Sequence, residues 1–121
     1  MSNRFPDTAI HVAAGWQLTT LRPPSSLFGA NGMRFGANGE LYIAQAFGSQ
    51  VSALNPVSGA ISTVLPVGGP VVAPDDLAFD SHGAMFITEV MSERVSTLEP
   101  NGKVSVIADN VPVANGITVI V

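Results

Sequence analysis

The chain has no cysteine among its 121 residues. That excludes a disulfide scaffold and any thiolate-ligated metal centre, and it leaves the redox compartment open. Charge is also sparse. There are 5 Lys and Arg against 9 Asp and Glu, for a net −4 and a pI near 4.8, and the cations are scattered. Nucleic acid demands a basic footprint, so that class of partner is excluded. No run approaches the roughly 18 apolar residues of a membrane-spanning helix, and the opening Met1-Ser-Asn-Arg-Phe-Pro-Asp7 has no apolar h-region. The expectation is a soluble cytoplasmic protein that engages neither nucleic acid nor membrane.

Helical patterning is missing too: no segment of about ten residues keeps a 3.6-residue apolar period free of Gly or Pro. No Gly-x-Ser-x-Gly elbow, phosphate loop or His-Glu-x-x-His pair occurs, so serine-nucleophile and zinc-peptidase chemistry have no support.

What the chain does contain is a repeat. The block Asn31-Gly-Met-Arg-Phe-Gly-Ala-Asn-Gly-Glu-Leu-Tyr-Ile-Ala-Gln45 returns as Asp75-Asp-Leu-Ala-Phe-Asp-Ser-His-Gly-Ala-Met-Phe-Ile-Thr-Glu89, 44 residues later. It begins again, 40 residues further on, at Asn115-Gly-Ile-Thr-Val119. Gln50-Val-Ser-Ala-Leu-Asn-Pro56 likewise pairs with Arg94-Val-Ser-Thr-Leu-Glu-Pro100. A period of about 40–45 residues is that of a four-stranded propeller blade.

Each unit reads as four strands. A short apolar run (Met33 to Phe35, Leu77 to Phe79) meets a Gly-ended turn suited to a hairpin. A second strand follows, with Leu41 and Ile43, or Met85 and Ile87, alternating on one face. The third runs through Val51 to Leu54 or Val95 to Leu98, and the outer fourth through Ala60 to Leu65 or Lys103 to Ala108. Gly15 to Leu21 has the look of another outer strand, in which Trp16 anchors an interblade core, and the third repeat opens a further inner strand. The expected organisation is an all-β partial β-propeller over 1–121: an outer strand at 15–21, blades at 31–65 and 75–108, and the first strand of the next blade at 115–121. That makes about two and a half blades.

Propellers close with about four to eight blades. With 46% hydrophobic and only 12% charged residues and a mean hydropathy of +0.37, the uncovered blade faces are association surfaces. The favoured reading is the amino-terminal portion of a larger propeller, completed by another polypeptide or lost by truncation. A closed homo-oligomer is the alternative, and it requires awkward strand sharing.

Asn115-Gly, Pro74-Asp-Asp-Leu-Ala-Phe-Asp-Ser-His-Gly83 and Gly39-Glu-Leu-Tyr-Ile-Ala44 resemble the blade motifs of the regucalcin/gluconolactonase family, six-bladed calcium-dependent lactonases. Streptogramin lyases, strictosidine-synthase-like proteins and NHL-repeat proteins share the same general pattern. The resemblance implies a divalent metal, calcium in particular, held where inner strands start at one mouth of the central channel. The family's first-blade metal-binding Glu matches Asn31, which carries no charge. A second-blade Asn on the substrate side matches Asp75, and the metal-ligating Asn of an Asn-Gly start is retained as Asn115. A further Asp, both ligand and base in the family, would lie beyond Val121. Oxygen ligands of this kind suit a hard cation.

Asx-Gly pairs also cap turns where a loop enters a strand, so Asn31, Asp75 and Asn115 have a structural reading as well. Gln45 and Glu89 close the second strands near the mouth, followed by loops that expose Phe47 and Met91. Phe47, Glu89 and Met91 are therefore candidate lining residues for a small organic substrate, with packing against neighbouring loops as the alternative for Phe47 and Met91. Asp76 reads as a structural turn residue bonding the loop backbone. Asp80 and His82 belong to the hairpin turn away from the mouth. The expected function is part of a metal-dependent hydrolase acting on a lactone or small ester. The alternatives are a noncatalytic NHL-like protein-binding scaffold and a streptogramin-lyase-like enzyme, which would need a His at the mouth that neither His11 nor His82 supplies.

Overall fold

The computed structural model describes residues 10–23 and 25–120. Eight strands follow in order: β1 (Ala30–Phe35), β2 (Leu41–Gln45), β3 (Gln50–Leu54), β4 (Ile61–Leu65), β5 (Pro74–Phe79), β6 (Met85–Glu89), β7 (Arg94–Leu98) and β8 (Val104–Asp109). They form two four-stranded antiparallel sheets in simple meander order, β1-β2-β3-β4 and β5-β6-β7-β8. No helix occurs among the described residues.

The repeat extends to backbone detail. Met33 stands opposite Ile43, and Leu77 opposite Ile87. The inner strands are irregular between Ala30 and Met33 and between Pro74 and Leu77, and the outer pairs between Val51 and Ser52 and between Val95 and Ser96. The first hairpin turn of each sheet places a glycine at positive φ, 79° at Gly39 and 88° at Gly83, a conformation that costs glycine little.

Alternation within the strands decides how the sheets stack. Tyr42, Ala44, Val51 and Leu65 of the first sheet form one apolar cluster with Leu77, Phe79, Met85, Ile87, Leu98 and Val104 of the second, joined by Val71 from the connection. The other face of the first sheet, which carries the repeat counterparts of that second set, is only partly covered. Leu77 is fully buried whereas its counterpart Met33 is 54% exposed, and Phe35 is 62% exposed.

Ten strands were expected and eight are present among the described residues. Neither 15–21 nor the described part of 115–121 is a strand. A strand exists through its ladder, and the middle strands of both sheets are already paired on both sides. An additional outer strand therefore has no third strand to join, and an additional inner strand has no second strand. Trp16 accordingly sits 78% exposed and anchors no core.

Candidate functional site

Antiparallel meanders put every second connection at the same end of the stack. That end, the mouth, gathers the segment entering β1, the β2–β3 and β6–β7 loops, the long connection from β4 to β5, and the chain leaving β8. Two residues before each repeat start, the backbone turns through a left-handed conformation: φ is 67° at Gly29, 48° at Ala73 and 55° at Val113. Residues with a Cβ adopt such angles only when the surroundings impose them. The third repeat thus shares the local geometry of the first two, although it forms no strand.

The turn delivers Asn31 and Asp75 to one place. Asn31 Nδ2 donates a 2.7 Å hydrogen bond to Asp75 Oδ1, joining the two inner strands across the blade boundary. Gly32 permits this approach, because a Cβ there would stand 2.7 Å from the Asp75 carbonyl oxygen. Asp75 is 6% exposed, and no other side-chain bond engages it among the described residues. Both residues line a cavity of about 460 Å³ together with Ala46, Phe47, Val90 and Met91. Phe47 and Met91 are therefore placed at the expected position, 83% and 77% exposed.

Asn115 does not join this lining and remains exposed. Its neighbours are nonetheless anchored beside β5, since the Ile117 amide donates to Asp76 Oδ2 at 3.1 Å. Asp76 takes the place that glycine holds in the first and third repeats. Its carboxylate also accepts the Leu77 amide at 2.8 Å and lies 3.6 Å from the Arg34 guanidinium. Arg34 in turn donates to the carbonyls of Leu77 (3.2 Å) and Ile117 (3.4 Å). Asp76 is structural, as its position suggested, but it acts from within a strand.

Glu89 requires a correction, because it does not line the cavity that holds Asn31, Phe47, Asp75 and Met91. It is fully buried and accepts bonds from Arg94 Nε and Nη2, both at 2.9 Å, from the Val72 amide at 2.7 Å, and from the Ser96 hydroxyl. The Glu89 hydrogen bonds, and to a lesser extent its charge, raise the Arg94 pKa above its ordinary value, so the guanidinium stays cationic throughout any working pH range. In the first blade the same positions hold a neutral version. Gln45 donates to Ser52 at 2.8 Å and accepts from Gln50 at 3.2 Å. The paired change from Gln45 and Gln50 to Glu89 and Arg94 at the 44-residue spacing was the available sequence signal for a buried ion pair.

The opposite end of the stack is polar. Asp80 Oδ1 accepts the amides of His82 and Ala84 at 2.8 and 2.9 Å, and the His82 ring is almost wholly solvated. Neither it nor His11 reaches the cavity. The donors at the mouth, Asn31 Oδ1 and the Asp75 carboxylate, are hard oxygens of the kind calcium takes, but calcium needs six to eight of them. The pair fits in kind and supplies part of the number. No group of three or more His, Cys, Asp or Glu side chains able to hold a metal occurs among the described residues.

No family model matches the chain, and no curated protein matches it. Solved structures do. Virginiamycin B lyase from Staphylococcus aureus superposes with a TM-score of 0.62 at 21% identity, over 76% of this chain and 31% of the lyase. A streptogramin B lyase gives 0.55 at 23% identity, over 64% of this chain and 26% of that one. A gluconolactonase-family protein gives 0.55 at 14% identity, over 64% of this chain and 33% of that one. The chain thus spans about a third or less of the propellers it resembles. Its two stacked four-stranded sheets are two blades of a β-propeller, the fold these proteins share.

Proposed function

We propose that the chain forms part of a metal-dependent hydrolase that opens a lactone or a related small ester. The Asn31–Asp75 pair carries this reading: two hard-oxygen side chains from adjacent inner strands, hydrogen-bonded at 2.7 Å in a cavity of about 460 Å³. That volume lies within the range of small-molecule sites. Asn31 and Asp75 would hold calcium, with further oxygens supplied by the blades that complete the ring. The bound ion supplies Lewis-acid polarisation of the substrate carbonyl. Asn31 fixes the Asp75 carboxylate through Oδ1, and no hydrogen bond among the described residues engages Oδ2. In the reaction, water adds to the carbonyl carbon, the C–O bond to the ring oxygen breaks, and that oxygen takes a proton to leave a hydroxy acid.

Lactone hydrolysis by the propeller completed with its remaining blades, followed with and without a chelator and in Asp75→Ala, tests the proposal. Calcium-dependent turnover is expected to fall in the variant by more than the roughly 10–100-fold that follows loss of a group merely orienting a metal ligand. Turnover indifferent to chelation and to Asp75 would overturn it. The likeness to streptogramin B lyases makes a lyase the second reading. It requires a histidine at the mouth, and His11 and His82 do not line the cavity.

A further inference from the structure

The two ends of the blade pair differ in chemistry. At the end away from the mouth, the connecting turns are mostly polar, with Asn38, Glu40, Asp80, His82, Asn101 and Lys103 among them, and Pro56, Val57 and Pro100 are their larger apolar residues. At the mouth the connections carry Phe28, Phe47, Val67, Val72, Met91 and Val113, all substantially exposed, and Glu93 is the only charged residue of the β2–β3, β4–β5 and β6–β7 connections. Single exposed apolar side chains are ordinary on a protein surface, but a cluster at one concave end is not.

The cluster also follows the repeat. Phe28 and Val72, Ala46 and Val90, and Phe47 and Met91 are each 44 residues apart. Each blade therefore contributes an apolar set at fixed positions around its inner-strand Asn or Asp. Phe47 is held in place, since it packs over Gly29, where a Cβ would stand 2.7 Å from the Phe47 Cβ. Four of the six residues around the cavity are apolar, and the polar two are already bonded to each other.

We infer that this mouth binds a neutral molecule with a hydrocarbon or aromatic body and a single polar head, an alkyl- or aryl-substituted lactone or ester and not a polyhydroxylated sugar lactone. The inference rests on the hydrolase reading for the head group and on the apolar rim for the body. A polyol needs a hydrogen-bond partner for each hydroxyl it takes out of water, and an unmade bond carries the full desolvation penalty. Among the described residues, the lining offers side-chain partners only at Asn31 and Asp75. A hydrocarbon body over Phe47 and Met91 loses nothing of that kind and gains from the apolar area removed from water.

Direct binding of δ-decalactone and of glucono-δ-lactone to the full chain, followed by ligand-observed NMR and repeated in Phe47→Ser and Met91→Ser, tests the inference. Both side chains are mostly solvent-exposed, and circular dichroism checks that the variants fold. Expected are at least tenfold tighter binding of the decalactone, a loss of fivefold or more in each variant, and unchanged calcium affinity. Equal or tighter binding of the sugar lactone, or decalactone binding indifferent to both substitutions, overturns the inference. A change in self-association without a change in lactone binding overturns it as well, by marking the rim as a protein contact. The two readings fail separately. Decalactone binding without calcium binding contradicts the hydrolase and supports the apolar mouth, whereas calcium-dependent turnover by the completed propeller without preference between the lactones contradicts only the present inference.

Discussion

At the scale of single residues, the two blades solve one packing problem with different chemistry. Gln45, Gln50 and Ser52 form a neutral hydrogen-bonded group, and Glu89, Arg94 and Ser96 form an ionic one in the equivalent place. Removing one partner of a buried pair leaves an uncompensated charge, whereas replacing both can be close to neutral. Glu89→Gln alone is expected to cost about 3 kcal/mol in urea denaturation, with Arg94→Gln costing less because its side chain is a quarter exposed. The double change, which restores the first-blade chemistry, should recover most of that loss. A double variant as unstable as the sum of the singles would contradict the pairing. The raised Arg94 pKa sets the sign of any pH effect: its contribution is complete below the ordinary arginine value and is lost only as pH rises through the still higher folded value. Deprotonation of Arg94 therefore does not weaken the fold at neutral or moderately alkaline pH.

The residue scale also shows where sequence reading succeeded. Asn31 and Asp75 share a repeat position, and equivalent positions on neighbouring blades meet near one axis, so their proximity was legible from the spacing. The role of Glu89 was not. A carboxylate at the end of a mouth-side strand can face a ligand or turn inward, and only the Arg94 and Ser96 side chains across the β6–β7 ladder draw it inward. Asn115 had the right position in the repeat, but without a paired strand of its own to aim it, its side chain stays in solvent.

At the scale of elements, the eight strands and their turns were readable because period-2 alternation, Gly-ended hairpins and the 44-residue spacing all agree. The two outlying segments were misjudged because local sequence reports strand propensity and not the presence of a partner. Stacking gives the repeat its energetic asymmetry. Leu77 is fully buried between the sheets, and its counterpart Met33 is 54% exposed. Leu77→Ala is expected to cost about 2–5 kcal/mol, the range for truncating a buried leucine. Met33→Ala should cost under about 1 kcal/mol, as for sites away from a packed core. Chemical denaturation of the two variants checks this, and equal losses would mean that the face of the first sheet is covered in solution.

At the scale of the molecule, two blades stack through one shared core, and the face around Met33 and Phe35 is apolar and only partly covered. The same stacking places Asn31 beside Asp75 across the blade boundary, so the candidate site belongs to neither sheet alone. The divalent-cation site proposed at this junction is tested by a calcium titration of the nitrogen-15-labelled chain, observing the Asn31 side-chain amide and the backbone amides of Asp75 and Asp76. Saturable shifts confined to the mouth and abolished by Asp75→Asn are predicted. An Asn31 amide that does not move at millimolar calcium, or that shifts equally in the Asp75→Asn variant, would contradict the account.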